Sequence, residues 1–500
     1  MPEHRQGGSR GPRRDERGRR RDDRGPRRDD RLRSQSRPSE RARGADPARR
    51  AAFDTLRAVS ESDSYANLVL PPMLSERGIR GRDAAFATEL TYGTLRLQGR
   101  YDAIIALAGN RDPEGLDAPL LDVLRLGAHQ LLGMRVPDHA AVSETVGLAR
   151  SVCGTGPSQL VNAVLRRVGE RDLAGWLGEL ETTTADATER LAIAGSHPAW
   201  VVRAFRQSLA MTELGVGDLA ELLEADNTPP AVTIAVRPGL AEEGDVPDDA
   251  TPAPYAPTAR VLAGGDPGSL ASVRSARVGV QDEGSQLVAL ALAGAPLEGT
   301  DQRWLDLCAG PGGKAALLAA LLGDRAPGGV LVANEVSPHR ARLVEQAVAA
   351  ASKAVSVEVR VGDGRELGEL EPDTFDRVLV DAPCTGLGAL RRRPEARWRR
   401  QPSDLVTLGP LQRDLLRSAI AATRPGGVVG YVTCSPHLAE TRLVVEDVVK
   451  KAPVELLDAT EVMNEIALVA VPDQQGPFVQ LWPHRHGTDA MFLALLRRTA

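Results

Sequence analysis

Two cysteines stand directly after short apolar segments that have the composition of buried strands. Cys384 follows the segment RVLVDAP, and Cys434 follows VVGYVT. The thiolate is the nucleophilic form of cysteine, and cationic or helix-terminal surroundings are needed to form it near neutral pH. Two thiols brought to one place indicate covalent catalysis, in which one difficult step is divided into easier ones.

A glycine-rich segment follows a third apolar run and precedes a helical pattern; its residues are Cys308, Ala309, Gly310, Pro311, Gly312, Gly313 and Lys314. Such a turn lets a ligand approach the backbone closely, and the helix N-terminus favours negative groups. A Walker phosphate loop is excluded, because Ala315 and Cys308 stand where it needs Ser/Thr and Gly. Glu335, 20 residues beyond Ala315, is placed to bind a ribose. Nicotinamide dinucleotides and S-adenosylmethionine both carry a ribose, so the loop alone does not decide between these two cofactors.

The two thiols favour S-adenosylmethionine over a nicotinamide dinucleotide, because hydride transfer has no use for two cysteines. Carbon 5 of a pyrimidine is a poor nucleophile, but thiolate addition at carbon 6 makes it enamine-like and able to take a methyl group. We interpret Cys384 and Cys434 as catalytic thiols. For Cys308 we favour a role in packing or in a backbone contact.

The elements that must position these residues alternate between strand and helix from about residue 280. The predicted strands are 303–308, 329–334, 355–361, 377–383 and 428–434. Repeated β–α units indicate a doubly wound, mostly parallel sheet of the Rossmann-like α/β class. Ligands bind beyond the carboxyl ends of the strands in such sheets, which is where both cysteines and the glycine-rich loop fall.

Three further regions precede this domain, 281–500. Residues 1–46 are rich in Arg, Asp and Gly with few large apolar side chains, so we expect a disordered tail. Residues 47–170 show helical periodicity alone and predict an all-α domain. Residues 171–280 predict a small α+β connector, with a strand within 228–239 and a loop at 247–259.

The formal net charge of −5 hides an uneven distribution. Residues 1–50 hold 18 Arg against 9 Asp and Glu, a net charge of +9, and the remainder carries −14. The basic tail is either solubilising or attracts nucleic acid.

No apolar run is long enough for a membrane span. The four cysteines lie far apart, which favours a reducing cytoplasm over disulfides, and neither they nor His484 and His486 have metal-ligand spacing; we expect no metal.

The motifs DLCAGPGGK (306–314), DAPCTGLG (381–388) and YVTCS (431–435) resemble those of the RNA 5-methylcytosine methyltransferases of the RsmB/Nop2/Sun family. The likeness extends over about residues 281–500 and includes VQDEGSQLV and HGTDAMFLALL. It implies an S-adenosylmethionine-dependent enzyme that methylates cytosine in RNA.

The resemblance also implies residue roles. Cys434 is the expected nucleophile on carbon 6, Cys384 assists product release as a base or proton relay, and Asp381 contacts the cytosine near the methyl donor. The loop 308–314 holds the methionine part. Glu335 binds the ribose hydroxyls, and Asp363 binds the adenine amino group.

The helical domain resembles the NusB-like RNA-binding fold, through RDAAFATELTYGTLR (82–96), AAVSETVGLAR (140–150) and QLVNAVLRR (159–167). This favours 16S rRNA as the substrate of a monomeric enzyme. Alternatives are a tRNA cytosine methyltransferase and a non-catalytic RNA-binding or ribosome-assembly factor. The run Arg391–Arg400, with six Arg and Trp398, is interpreted as a phosphate-binding and base-stacking segment rather than a solvated face.

Overall fold

The computed structural model describes residues 45–62, 64–474 and 476–500, so the predicted tail 1–46 lies outside the described residues except for its last two. The described part of 45–500 forms one compact unit. Its first seven helices are α1 Pro47–Glu61, α2 Ala66–Glu76, α3 Gly81–Arg96, α4 Gln98–Gly109, α5 Ala118–Leu132, α6 Asp138–Val152 and α7 Thr155–Val168. As predicted, this region is helical, and its described residues form no strand.

Amphipathic periodicity explains why these helices pack together. Leu90, Ile104, Leu124 and Leu165 come from four different helices and share one buried cluster. The first helix begins at Asp46, whose side chain accepts a hydrogen bond from the backbone N–H of Arg49 at 2.9 Å. That contact satisfies one of the N–H groups that a helix start leaves without a partner.

The connector region holds four longer helices, a one-turn helix and a small sheet. Its elements are α8 Leu173–Thr183, α9 Ala187–Gly195, α10 Ala199–Leu209, α11 Leu219–Asn227, β1 Thr233–Val236, β2 Thr251–Pro252, β3 Ala259–Val261, α12 Ala271–Arg274 and β4 Val278–Val280. The sheet is antiparallel with the order β2-β3-β1-β4. The prediction of loop throughout 247–259 is wrong for Thr251–Pro252, which pair with β3, and for Ala259, which begins β3. A two-residue strand within a Pro-rich segment has no periodicity that could reveal it.

The C-terminal region alternates strands and helices as predicted. Its elements are α13 Glu283–Gly294, β5 Arg303–Asp306, α14 Gly313–Arg325, β6 Val330–Glu335, α15 Pro338–Val348, β7 Ser356–Val361, α16 Leu367–Leu370, β8 Phe375–Asp381, α17 Ala396–Arg399, α18 Asp404–Ala422, β9 Thr423–Thr433, α19 Arg442–Val449, β10 Val454–Leu457, α20 Ala459–Ile466, β11 Phe478–Gln480, α21 Pro483–His486 and β12 Phe492–Arg498. Short 3-10 helices elsewhere in the described chain are Pro113–Gly115, Val216–Asp218, Pro267–Ser269, Ala351–Lys353, Leu387–Ala389 and Leu438–Glu440.

These strands form one eight-stranded sheet with the order β10-β12-β9-β8-β5-β6-β7, and β11 pairs with β12. The five strands from β5 to β9 are parallel to one another, and β10, β11 and β12 are antiparallel additions. Side chains along β8 alternate between two buried clusters: Leu379 faces one, and Val378 and Val380 face the other. Helices therefore cover both faces of the sheet, as a doubly wound fold requires, and the predicted fold class is confirmed.

The parallel strands place the ends of β5, β6, β8 and β9 at one edge. The chain leaves this edge at Asp306, Glu335, Asp381 and Thr433, so all the chemically distinctive segments of the sequence meet there. Among the described residues, no helix is both long and apolar enough to cross a membrane.

The run Arg391–Arg400 serves a different purpose from the one expected of it. Arg397 is fully buried and donates to the carbonyl oxygens of Arg96, Ser196 and Asp226 and to the side chain of Asn227. The interpretation as a wholly RNA-facing segment is therefore wrong for Arg397.

Other members of this run are also held by the protein. Arg391 and Arg392 pair with Asp282 and Asp489, and the Trp398 ring packs against Gly99 of α4. Arg397 and Trp398 thus hold the helical regions against the C-terminal region, whereas Arg391 and Arg392 form ion pairs within the C-terminal region.

Candidate active site

The loop after β5 is fixed by the neighbouring strand and helix. The backbone N–H of Ala309 donates to the carbonyl oxygen of Asn334 at 2.8 Å. Gly312 has a φ of +109°, and a Cβ there would lie 2.7 Å from that of Ala347 on α15. Glycine is required at this position both by its conformation and by the close helix.

The predicted loop residues divide into two groups around one cavity of about 420 Å³. Cys308 and Gly310 line the cavity, together with Glu335, Asp363, Asp381, Cys384 and Cys434 from the other predicted positions. The other five loop residues do not line the cavity; they are Ala309, Pro311, Gly312, Gly313 and Lys314. The first four shape the turn, and Lys314 contacts the cavity residue Asp381. The structure thus brings most of the predicted residues to one site.

Glu335 ends β6 as a buried carboxylate. It accepts hydrogen bonds from the backbone N–H of Gly310 at 3.0 Å and of Ser337 at 2.8 Å, and it pairs with Arg340 at 2.6 Å. Asp363 follows β7 and forms an ion pair with Arg365, whose hydrogen bonds lower the pKa of the Asp363 carboxyl. The two carboxylates provide hydrogen-bond acceptors in the wall of one cavity.

Lys314 and Asp381 join the first helix of the domain to the end of β8. The Lys314 Nζ atom lies 2.8 Å from an Asp381 carboxylate oxygen. Burial disfavours the ammonium group, but the carboxylate outweighs burial, so the pKa of Lys314 is raised. Lys314 therefore remains a cation beside the thiols.

The sulfur atoms of Cys384 and Cys434 lie 3.5 Å apart and are chemically unequal. A hydrogen bond from Cys384, with help from the Lys314 and Arg393 cations, lowers the pKa of Cys434 against the effect of burial. The same hydrogen bond, burial and the Glu440 carboxylate raise the pKa of Cys384. Cys434 is accordingly the more readily ionised thiol of the pair, and Cys384 is the one that favours its protonated form.

Cys308 differs from these two thiols. Burial, and the nearby carboxylates of Asp306 and Asp381, raise its pKa well above the usual range. It remains a neutral thiol at the cavity wall, in keeping with the packing role expected of it.

Glu440 is a site residue that the sequence reasoning did not identify. It is fully buried, and it accepts hydrogen bonds from the backbone N–H and hydroxyl of Thr385, next to Cys384, and from the Ser435 hydroxyl, next to Cys434. The bond to the Ser435 hydroxyl measures 2.7 Å. One carboxylate therefore ties both cysteine loops together. Its position six residues after Cys434 was the only available signal, and nothing in that spacing distinguishes it from an exposed acid.

Asp306, at the end of β5, was also missed. Its side chain is buried, and neither carboxylate oxygen has a hydrogen-bond partner among the described residues. Burial, followed by the Asp381 charge, raises the pKa of Asp306 to about 8. A protonated or ligand-satisfied carboxyl group is the state that such surroundings favour.

Comparison with known proteins identifies the family. Residues 293–497 match the family model described as 16S rRNA methyltransferase RsmB/F, and residues 46–170 match that of the NusB family. The chain is 30% identical over 460 residues to Ribosomal RNA small subunit methyltransferase B of Vibrio cholerae, covering 89% of this chain and 97% of that protein. The chain belongs to the RsmB/F family.

Two further comparisons fit this RsmB/F assignment. A Mycobacterium tuberculosis protein, whose name goes no further than methyltransferase, is 54% identical over 461 residues, 92% of this chain and 98% of that one. The crystal structure of PH0851 superposes with a TM-score of 0.72 at 21% identity over 90% of this chain and 98% of the other, which shows a shared fold. The RsmB/F and NusB-like resemblances are thus confirmed, and the protein is an RNA methyltransferase.

Proposed function

We propose that the protein transfers a methyl group from S-adenosylmethionine to carbon 5 of a cytosine in 16S rRNA. The observation that carries this proposal is the thiol pair at the sheet edge, with Cys434 favoured as the thiolate and Cys384 as the thiol at 3.5 Å. Carbon-5 methylation of a pyrimidine needs a thiolate nucleophile of this kind, because the ring carbon is otherwise unreactive.

The cavity fits the cofactor in chemistry and in space. Glu335 and Asp363 line the cavity, where Glu335 offers its carboxylate to a ribose and Asp363 offers an acceptor to the adenine amino group. A Cβ at position 310 would lie 2.4 Å from a Glu335 oxygen, so Gly310 leaves open the space that this carboxylate occupies. When bound, S-adenosylmethionine supplies an electrophilic methyl group.

Cys434 begins the reaction as the nucleophile. Its thiolate forms a bond from sulfur to carbon 6 of the cytosine, which moves electron density to carbon 5 and makes that atom able to take the methyl group. Asp381, held by Lys314 at 2.8 Å, is the group placed to bind the polar edge of the base. Because carbon 6 is inaccessible within a stacked helix, the target cytidine must be unpaired or turned out.

Cys384 completes the reaction by removing the proton from carbon 5. Its pKa is raised first by its hydrogen bond to Cys434, so conversion of Cys434 to a thioether removes the largest cause of that shift. The Cys384 thiol then loses its proton to water in the cavity, and the resulting thiolate takes the proton from carbon 5. Loss of the carbon-5 proton breaks the bond from carbon 6 to Cys434 and restores the Cys434 thiolate.

The assignment to 16S rRNA is supported by the description of the matching family model and by the NusB-family match over residues 46–170. The test is tritiated methyl transfer from S-adenosylmethionine to unmodified 16S rRNA, followed by bisulfite mapping of the product. We expect 5-methylcytosine at a defined position in 16S rRNA. Modification of tRNA in its place, or no transfer to either RNA, would contradict the proposal.

A further inference from the structure

Arg393 differs from its neighbours in the run Arg391–Arg400. Its side chain is exposed and lines the cavity that contains Cys384 and Cys434. No acidic side chain among the described residues forms an ion pair with it, in contrast to Arg392, which pairs with two. An exposed guanidinium group that lines a cavity and forms no ion pair is available to bind an anion.

The residue that orients Arg393 comes from the helical region. The Arg393 guanidinium carbon lies 5.0 Å from the centroid of the Tyr65 ring, and Tyr65 lines the same cavity. A cation over an aromatic face at this distance is attracted by the ring electrons. The helical region thus contributes a side chain directly to the site of the thiols.

Tyr65 is held at this position by contacts across the two regions. The Glu395 carboxylate accepts a hydrogen bond from the backbone N–H of Ala66 at 3.1 Å, and Arg399 donates to the carbonyl oxygens of Val59 and Ser64. These contacts fix the backbone on both sides of Tyr65. Its presence at the cavity is therefore built into the interface between the regions.

The position of Arg393 relative to Cys434 indicates which anion it meets. Its charge is among those that lower the pKa of Cys434, so the guanidinium lies within electrostatic range of that sulfur. A nucleotide whose base reaches Cys434 carries its phosphates toward the cavity mouth. Guanidinium groups bind phosphate through paired, charge-assisted hydrogen bonds.

We propose that Arg393, oriented by Tyr65, binds a backbone phosphate of the RNA strand beside the nucleotide that enters the Cys434 cavity. This inference rests on the proposed function, since it names a contact for the same substrate. It makes the NusB-like region part of the active site, rather than only a separate anchor for distant RNA.

The test measures equilibrium binding of an unmodified 16S rRNA transcript to the full chain over a range of NaCl concentrations. We expect Arg393→Gln to weaken binding about tenfold and to reduce the slope of log K against log[NaCl] by about 0.7, the value for one phosphate on a single strand. Arg393→Lys should keep the slope and lose part of the affinity, because an ammonium group cannot bind phosphate in the same paired manner.

Two further variants separate the roles. Tyr65→Phe should bind the RNA like the wild type. Tyr65→Ala should weaken RNA binding less than Arg393→Gln does. The double variant Tyr65→Ala, Arg393→Gln should bind only slightly more weakly than Arg393→Gln alone. Arg342→Gln removes an exposed charge of the C-terminal region that does not line the cavity, and we expect binding to be unchanged. Thermal melting of every variant shows whether each is folded.

An Arg393→Gln protein with wild-type affinity and slope would overturn the proposal, as would an equal effect of Arg342→Gln. A raised KM for S-adenosylmethionine without weaker RNA binding would instead assign Arg393 to the cofactor. Failure of the proposed function can be distinguished from failure of this inference, because the wild-type protein would then form no 5-methylcytosine, whatever its RNA binding.

Discussion

The sheet edge and the run Arg391–Arg400 are both polar segments beside the cavity, but their side chains find partners in different ways. At the sheet edge, strand order brings Lys314 to Asp381 and Cys384 to Cys434. In the run, Arg397 and Arg399 reach carbonyl groups of helices far earlier in the chain. Parallel strands deliver their ends to a common place, whereas the partners of a loop depend on how separate regions pack.

The largest expected effect lies at the sheet edge. Cys434→Ala removes the nucleophile without disturbing the strands, so we expect methyl transfer to fall by at least about 10⁴-fold. Single-turnover transfer of tritiated methyl groups to 16S rRNA measures this loss. Cys153→Ala, which removes a thiol of the helical region outside the cavity, is the matched control and should retain wild-type activity.

Residual activity in Cys434→Ala within about tenfold of wild type would contradict the assignment of Cys434 as nucleophile. Loss of activity in both cysteine variants would point to general destabilisation instead. The comparison therefore needs the melting curves of both proteins.

The next largest effect lies in the run and concerns stability. Arg397→Met leaves several buried carbonyl groups without a donor, and we expect the free energy of unfolding to fall by about 3–5 kcal/mol. Urea unfolding at constant pH measures it. Arg413→Met, which breaks the partly exposed ion pair with Asp447, should cost much less, because solvent screens the attraction between these charges. Equal losses in the two variants would show that Arg397 does not hold the regions together.

The sequence predicted the sheet edge well, because each functional side chain there follows a recognisable strand. Cys384, Cys434, Glu335 and Asp363 all line one cavity, as the strand positions required. It could not predict that Arg397 is buried, because hydropathy cannot distinguish an arginine that donates to distant carbonyls from one in solvent.

Glu440 and Asp306 escaped prediction for a related reason. Their importance comes from burial and from neighbours that only the folded chain brings together. A single acidic residue after a strand or a cysteine has no periodic or spacing signal of its own.

Glu440→Gln tests whether this buried carboxylate positions the thiols. A glutamine keeps the shape but has one acceptor oxygen where the carboxylate has two, so we expect kcat to fall about 10- to 100-fold with little change in the melting temperature. The Glu440 charge raises the pKa of Cys384, which must lose its proton to act as the base, so the variant should also shift the ascending limb of the pH–rate profile to lower pH. An unchanged profile with lower kcat would leave Glu440 with a structural role alone.

The remaining expected effect is the pH dependence of stability that comes from Asp306. Its folded pKa of about 8 lies above the unfolded value near 3.8, so its contribution is fully present at low pH and is lost as pH rises through about 8. Over that window the wild type should lose up to about 1.4 kcal/mol per pH unit relative to Asp306→Asn.

Urea unfolding at pH 5, 6 and 7 measures this difference, with Asp324→Asn on the surface as the matched control. Asp306→Asn should be the more stable protein by a margin that grows with pH, and the control should follow the wild type. Parallel pH curves for Asp306→Asn and wild type would show that Asp306 is ionised in the folded protein.

The central claim is that two thiols 3.5 Å apart divide one reaction between them. The most direct measurement is denaturing electrophoresis of Cys384→Ala after incubation with 16S rRNA and S-adenosylmethionine. We predict a covalent protein–RNA adduct that carries the transferred methyl group and is absent from Cys434→Ala and from the Cys384→Ala, Cys434→Ala double variant. A Cys384→Ala enzyme that turns over freely without an adduct would contradict the division of roles.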